Sequence, residues 1–257
     1  MNILLHWIAF KSICNKEIHR LARIWIQTLI PPIITITLYF IIFGNLIGPR
    51  IGVIQNYSYI EYIIPGLVMM SVITNAYSNV ASSVFSAKFQ RNIEELLVAP
   101  IPTYIIITGL ISGGVIRGIF VGTIVMLISL LFIPLHIHNW IVILAILLST
   151  AILFSLIGLL NAIFAKNFDD ISLIPTFILT PLIYLGGVFY PLTFLTAFWQ
   201  TVSKLNPIFY MISGLRFGFL GINDTLLVFT FVILIALILL FYLTAAYFIN
   251  YGNSIRN

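Results

Sequence analysis

The sequence predicts an all-α membrane protein with six transmembrane helices. Of its 257 residues, 61% are hydrophobic and only 7% are charged, whereas about a quarter of the residues of a soluble protein are charged. Long uncharged runs separate these few charges, and a span needs about 20 apolar residues to cross roughly 30 Å of hydrocarbon. Such a chain cannot build a water-facing surface, so its composition places it in a bilayer.

The predicted spans follow the uncharged runs. They lie at about 24–47, 63–85, 104–133, 140–164, 171–190 and 226–249. As one helix, the third run would measure about 45 Å, so we expect it to tilt or to project from the bilayer. A seventh span over residues 96–116 is the alternative, but Pro100 and Pro102 interrupt that run and favour six.

Two flanking segments are predicted to lie at the membrane surface. Before the first span, apolar residues recur at helical spacing opposite a polar side, which predicts an N-terminal amphipathic interfacial helix. Its apolar positions are Ile3, Trp7, Phe10, Cys14, Ile18 and Leu21. The start lacks the features of a cleaved signal peptide, so we expect it to be retained. The apolar segment 191–224 predicts short re-entrant helices between spans five and six.

The basic residues predict cytoplasmic N- and C-termini. If the first loop is external, eight of them lie on the inner side and three on the outer side, with Arg117 left aside because it falls in or near the third span. The inner residues are Lys11, Lys16, Arg20, Arg23, Lys88, Arg91, Lys166 and Arg256; the outer residues are Arg50, Lys204 and Arg216. Cytoplasmic segments carry an excess of Lys and Arg, so this asymmetry sets the orientation.

The chain offers no sign of a nucleotide site or of catalysis. A phosphate-binding loop needs the pattern GxxxxGK[ST], and although Gly109 and Gly114 have the glycine spacing, Val115 and Ile116 follow them. No carboxylate falls inside a predicted span, where a proton-coupled carrier usually keeps an ionisable group. We therefore predict a protein that is not an enzyme and that does not hydrolyse ATP itself.

We also predict no cofactor, no metal site and no nucleic-acid partner. The single cysteine, Cys14, excludes an internal disulfide and a cysteine-based metal site. His136 and His138 stand in a short loop without a carboxylate nearby in the sequence, and we interpret them as ordinary interfacial histidines. The basic cluster from Lys11 to Arg23 adjoins an apolar span, which indicates a membrane anchor in contact with lipid rather than a nucleic-acid surface.

The segment 86–104 is the most informative part of the chain outside the spans. A short amphipathic helix from about Arg91 to Ala99 would present Leu96 and Leu97 on one side and Glu94 and Glu95 on another. This arrangement suits the docking of a soluble partner. By spacing alone, a plain solvated linker explains the segment equally well.

Two stretches carry a resemblance to a known family. The pattern Arg91-x-x-Glu94-Glu95-Leu96-Leu97-x-x-Pro100 resembles the loop after the second span of ABC-2 type permeases, the membrane subunits of ABC exporters. The stretch from Pro181 to Pro191, followed by Leu205-Asn206-Pro207 and Gly214-Leu-Arg216, resembles the C-terminal signature of that family. Gly186-Gly187 stands where the family often has Ser-Gly. The resemblance covers essentially the whole chain.

The resemblance implies a single ABC-2 type transmembrane domain over residues 1–257 that works with a separate ABC ATPase. It implies a permease homodimer in a bacterial inner membrane that exports an amphiphilic drug, lipid or glycan. It also implies that the 91–100 segment docks on the ATPase. The coupling residues would be Arg91, Glu94, Glu95, Leu96, Leu97 and Pro100. An ion-coupled secondary transporter without an ATPase is the alternative.

Polar residues inside the spans are candidates for a gate or a conduit. Ser71, Asn75, Asn79 and Ser83 follow one face of the second span, as a conduit wall or as interhelical hydrogen-bonding groups. In the third span, Gly114, Gly118 and Gly122 predict close helix packing. We expect Arg117 to pair with Asp169 or Asp170 and to brace a cytoplasmic gate, because an isolated guanidinium in hydrocarbon is costly.

Overall fold

Six long apolar helices form the body of the protein in a computed structural model, which describes residues 3–222 and 224–251. The helices that could cross a membrane are Trp25–Ile51, Tyr59–Phe89, Thr103–Ser129, Trp140–Phe164, Phe168–Leu185 and Leu227–Tyr251. The prediction of six spans is confirmed. Arg256, one of the predicted inner basic residues, lies outside the described residues.

The first part of the chain contains the N-terminal helix and the first span. Helix α1 (Ile3–Arg23) breaks at Ile24, where α2 (Trp25–Tyr39) begins. Helix α2 is continuous through Pro31 and Pro32 and passes into a π-helical segment, Phe40–Ile47, and a short helix, α3 (Gly48–Ile51). Two short antiparallel strands, β1 (Val53–Ile54) and β2 (Tyr57–Ser58), then turn the chain back.

Helix α4 (Tyr59–Phe89) is the centre of the bundle. Ser58 and Glu61 form a capping box at its start, which satisfies the otherwise free backbone N–H groups there. Most of its side chains are buried, and they pack against α6 (Thr103–Ser129) and α7 (Trp140–Phe164). Between α4 and α6 the chain forms the short helix α5 (Asn92–Val98).

The predicted bounds of two spans needed correction. The third span ends at Ser129 instead of 133, because residues 130–133 form a turn before Pro134, and proline disfavours helix in the residue before it. Pro100 and Pro102 separate α5 from α6, so the 96–116 run is not a seventh span. The fifth span ends at Leu185 instead of 190, before Gly187, whose φ of +81° cannot continue a helix.

The last part of the chain contains the fifth and sixth spans and the helices between them. The fifth span consists of α8 (Phe168–Ile174), a π-helical segment (Pro175–Leu179) and α9 (Thr180–Leu185). A 3-10 turn (Leu192–Phe194) and helices α10 (Ala197–Leu205) and α11 (Pro207–Leu220) follow. Helix α11 is largely buried against the rest of the protein. Helix α12 (Leu227–Tyr251) lies at the periphery and exposes many of its apolar side chains.

Two rows of glycine on α6 let neighbouring helices approach closely. A Cβ at Gly114 would lie 2.7 Å from the carbonyl oxygen of Ala76 on α4, and one at Gly122 would lie 2.6 Å from a Val72 methyl. The prediction of close packing along Gly114, Gly118 and Gly122 is therefore confirmed. The second row, Gly109 and Gly113, receives α1.

Candidate functional site: the α5 docking helix and the buried polar network

Helix α5 projects from the end of the bundle where α4 ends and α6 begins. Arg91 precedes it with a left-handed backbone (φ +60°), which turns the chain sharply out of α4. Ile93 is only 5% exposed and anchors the helix on the bundle, whereas Val98 is 84% exposed. Glu94 and Glu95 are also exposed. The predicted amphipathic helix is present, and an acidic surface with an exposed valine faces outward.

Leu96 corrects one detail of the predicted docking surface. It was expected to lie on a partner-facing apolar side, but it is partly buried and packs against the core of the bundle. It also lines a groove of about 530 Å³ between α1, α5 and α6, together with Ile13, Lys16, Ile93 and Leu110. Ile93 and Leu96 therefore seat the helix, and the outward side carries the carboxylates. The side chain of Leu97 lies outside what the structure describes.

The base of α5 is tied to two other spans. Lys88, near the end of α4, donates hydrogen bonds to the carbonyl oxygens of Ile163 (2.8 Å) and Ala165 (3.0 Å) at the end of α7. A lysine at this place satisfies carbonyls that the helix itself leaves free. Phe85 stacks edge-on against Phe168 at the start of the fifth span, with ring centres 4.8 Å apart. The end of α4 that precedes α5 is thus bonded to the end of α7 and packed against the start of α8.

A buried ionic network joins α1 to α4 and α6. Glu17 is only 1% exposed and accepts hydrogen bonds of 2.8 Å from Ser83, and its carboxylate lies 3.5 Å from Arg20. Arg20 also donates to the side chain (2.6 Å) and backbone (2.8 Å) oxygens of Asn79. Burial lowers the pKa of Arg20, and Glu17 partly opposes that shift. A Cβ at Gly113 would lie 2.9 Å from Glu17, so glycine makes room for the network.

Glu17 is a residue that the sequence analysis overlooked, and it changes the description of α1. The face of α1 that meets the protein carries Ile13 and Glu17, whereas Trp7 and Ile18 of the predicted apolar side are exposed. The spacing of Glu17 and Arg20, three residues apart on one helix, was the available signal. It indicated an ion pair but not that the pair would be buried against α4.

Arg117 on α6 bonds to α4 at a position one helical turn away from this network. Its Nε donates to the side-chain oxygen of Asn75 at 3.2 Å, and Arg20 binds Asn79, four residues further on. The polar face of α4 thus bonds to two neighbouring helices through Asn75, Asn79 and Ser83, as interhelical hydrogen bonding predicts. Asn79 has 0% exposure and faces α1 in this conformation.

The predicted partners of Arg117 are elsewhere. Asp170 accepts hydrogen bonds from the backbone N–H groups of Lys166 (2.8 Å) and Asn167 (3.1 Å) and caps α8. Among the described residues, neither Asp169 nor Asp170 lies within 4.0 Å of a basic side chain. The expected brace between Arg117 and these carboxylates is therefore absent, because the backbone at the start of α8 competes for Asp170.

A second charged site lies at the opposite end of the bundle. Arg216 on α11, counted from the sequence among the outer basic residues, is only 2% exposed. Its guanidinium bonds to Asp224 (3.0 Å) and to the carbonyl oxygen of Gly187 (2.9 Å) and stacks on Tyr62 of α4. At the same end, Nδ1 of His136 lies 3.3 Å from the carboxylate of Glu61. The described residues hold no cluster of three or more His, Cys, Asp or Glu.

Six long apolar helices make the chain a multi-pass membrane protein, and the short charged helix α5 projects at one end of them. The chain belongs to the ABC-2 type transporter family, whose family model matches residues 8–220. It is 64% identical over 253 residues to the inner membrane transport permease YadH of Escherichia coli K12, with 98% of this chain and 99% of that protein covered. A more distant relative is nodulation protein J of Rhizobium leguminosarum bv. viciae, 20% identical over 185 residues, with 72% of this chain and 71% of that protein covered. As an ABC-2 permease the chain is a transport component whose family implies a partnering ATPase.

Proposed function

We propose that this chain is the permease of an ABC exporter in the bacterial inner membrane. In this proposal two copies form a homodimer, a separate ATPase subunit supplies the energy, and the cargo is an amphiphilic molecule. Membership of the ABC-2 family and the name of the relative YadH support the permease role and the membrane. The whole chain acts as one transmembrane domain without a catalytic residue.

Helix α5 is the observation that carries the proposal. It is seated by Ile93 and presents Glu94, Glu95 and Val98 to solvent. An exposed short helix with charged groups around an apolar residue is a typical docking surface for a soluble protein. In the proposed complex, α5 lies in a groove of the ATPase, and Arg91 and Pro100 hold the two ends of the segment.

The placement of the basic residues supports the orientation. Lys11, Lys16, Arg23 and Arg91 belong to α1 and to the turn before α5, and a cytoplasmic position for this end agrees with the positive-inside rule. With this orientation α1 lies along the inner membrane surface, its exposed Trp7 and Ile18 facing lipid. Helices α10 and α11 then re-enter the outer face, where burial of α11 satisfies its backbone.

Transport would begin with closure of the ATPase subunits on ATP. The closure pushes α5, and the contacts of Lys88 and Phe85 pass the movement to α7 and α8. Spans one, two and five then tilt against their copies in the second permease and open a path outward. Asn75, Asn79 and Arg117, with Asp169 and Asp170 at the end of the fifth span, are the proposed residues along this gate or conduit.

Affinity purification from native membranes tests the proposal. We expect a soluble ATPase to co-purify with the wild-type chain and to be lost from the double variant Glu94→Arg/Val98→Asp. Lys204→Glu, an exposed charge reversal on α10, is the matched control and should keep the ATPase. Recovery of the wild-type chain without an ATPase, together with transport that does not need ATP, would contradict the proposal.

A further inference from the structure

From two clefts that meet at Arg117, we infer that this residue holds the acidic group of an anionic amphiphile. One cleft is polar and the other is apolar, and each has a volume of about 260 Å³. Arg117 is the residue that lines both. The inference deepens the proposed function, on which it rests for the identification of the bound molecule as cargo.

The charges around Arg117 leave one positive charge without a partner. All seven acidic side chains of the chain lie among residues 3–222 and 224–251, and none of them is within 4.0 Å of Arg117. Glu17 is bonded to Ser83 and paired with Arg20, and Asp170 caps a helix. Glu61 and Asp224 belong to the opposite end of the bundle.

An unpaired guanidinium inside a transmembrane helix requires an explanation. At the centre of a helix such a charge is costly to insert into the bilayer, and residues of this kind usually pair with a partner or mark a substrate path. The neutral amide oxygen of Asn75 satisfies one donor of Arg117 but leaves its charge uncompensated. An anion supplied by a ligand would complete the site.

The polar cleft suits the head of such a ligand. It lies between α2 and α4 beside Pro31 and Pro32, and apart from Arg117 its polar lining consists of neutral groups: Gln27, Thr35, Ser71, Thr74, Asn75 and Ser78. Because Pro31 and Pro32 have no N–H, the carbonyls of Gln27 and Thr28 lack their helical partners. The cleft thus combines one cation with hydroxyl and amide groups, as a polar, acidic head requires.

The apolar cleft suits the chain of the ligand. It lies between α1, α2 and α6, and its lining besides Arg117 is almost wholly hydrocarbon: Ile18, Leu21, Ala22, Trp25, Thr28, Leu29, Ile116 and Phe120. Trp25, Ile116 and Phe120 are exposed, so the cleft opens on the lipid-facing surface. A free inorganic anion would leave this apolar surface empty, which favours a molecule with an aliphatic tail.

Photolabelling of the purified full chain in phosphatidylcholine nanodiscs tests the inference. The probe is palmitic acid with a diazirine on its chain, and the labelled positions are read by mass spectrometry. We expect labels on α2 and α6 near Trp25 and Phe120. Excess palmitic acid should compete, whereas hexadecanol, hexadecylamine and inorganic phosphate should not. Equal competition by hexadecanol would show a general lipid groove, and competition by inorganic phosphate would show a free-anion site; either result overturns the inference.

Two variants separate loss of the site from loss of the fold. Arg117→Gln should weaken competition by palmitic acid about tenfold or more, because the charge-assisted hydrogen bond to the carboxylate is lost. Ser78→Asp keeps Arg117 and supplies a carboxylate in the polar cleft, so it should also remove the preference for the acid over the alcohol. Thr123→Val, exposed on α6, should bind as wild type does.

Wild-type affinity for palmitic acid in an Arg117→Gln protein that melts normally, or in the Ser78→Asp protein, would contradict the inference. Co-purification of the ATPase is measured separately on the wild-type chain. If no ATPase co-purifies, the proposed function is wrong, but the result on binding of palmitic acid remains valid.

Discussion

The guanidinium carbon of Arg216 lies 3.9 Å from the centre of the Tyr62 ring. Helix α11 thereby packs on the start of the central helix α4, and the same guanidinium reaches Gly187 after the fifth span and Asp224 before the sixth. One buried side chain therefore connects four separate parts of the chain at the end opposite α5. This connection should hold α11 and the chain segments on either side of it in place.

Replacement of Arg216 should lower stability strongly. Arg216→Ala removes the buried guanidinium, with its bonds to Asp224 and to the Gly187 carbonyl and its stack on Tyr62, and hydrogen bonds of charged groups contribute about 1.5–3 kcal/mol. Arg216→Lys keeps the charge but not the planar guanidinium that bonds to two acceptors at once, so we expect an intermediate loss of stability. Chemical unfolding in detergent measures the difference, with exposed Lys204→Ala as the control. A loss for Arg216→Ala no larger than for the control would refute the structural role.

Glu17 should hold α1 on the bundle. Glu17→Ala leaves the partly buried Arg20 without a carboxylate and Ser83 without its acceptor, and should cost about 1.5–3 kcal/mol. Glu17→Gln keeps the shape and should lose less. Limited proteolysis within α1 measures its release, and Glu95→Ala, an exposed carboxylate on α5, serves as the control. Protection of α1 in the Glu17→Ala protein equal to that in wild type would contradict this prediction.

The close contact of α6 with α4 should not tolerate a side chain at Gly114. Gly114→Leu drives atoms into the Ala76 carbonyl and Val80, so the two helices must separate. Overpacking of this kind typically costs about 1–3 kcal/mol. The melting temperature of the purified Gly114→Leu protein should lie clearly below that of Thr123→Leu, a substitution at an exposed position of the same helix. Equal melting temperatures for the two variants would show that the glycine row is not tightly packed.

Substitutions on the buried face and on the exposed face of α5 should have different effects. Ile93→Ala removes the buried anchor and should uncouple ATP hydrolysis from transport while the ATPase still binds, because the outward surface remains. Val98→Asp should instead weaken ATPase binding. Co-purification and transport, measured on both variants, distinguish these outcomes. The prediction fails if both variants lose binding to the same extent.

Local patterns in the sequence predicted the membrane helices correctly, and of the helix and the linker left open for segment 91–100, the structure has the helix α5. Hydropathy predicted the ends of the six spans to within a few residues, because a run of apolar residues is enough by itself to favour the bilayer. Pro100 and Pro102 marked the end of α5, and the glycine spacing predicted the packing surface of α6. These features depend on neighbours in the chain or on helical periodicity, which the sequence contains directly.

The choice of polar partners was decided only by the tertiary structure. Arg117 bonds to Asn75 instead of Asp170, Glu17 meets Ser83 66 residues away, and Arg216 reaches the carbonyl of Gly187. The sequence by itself determined that the chain is embedded in a bilayer and which of its residues are charged. Which charges meet depends on which helix faces are adjacent, and that follows from side-chain packing and the glycine rows across the whole bundle rather than from local hydropathy.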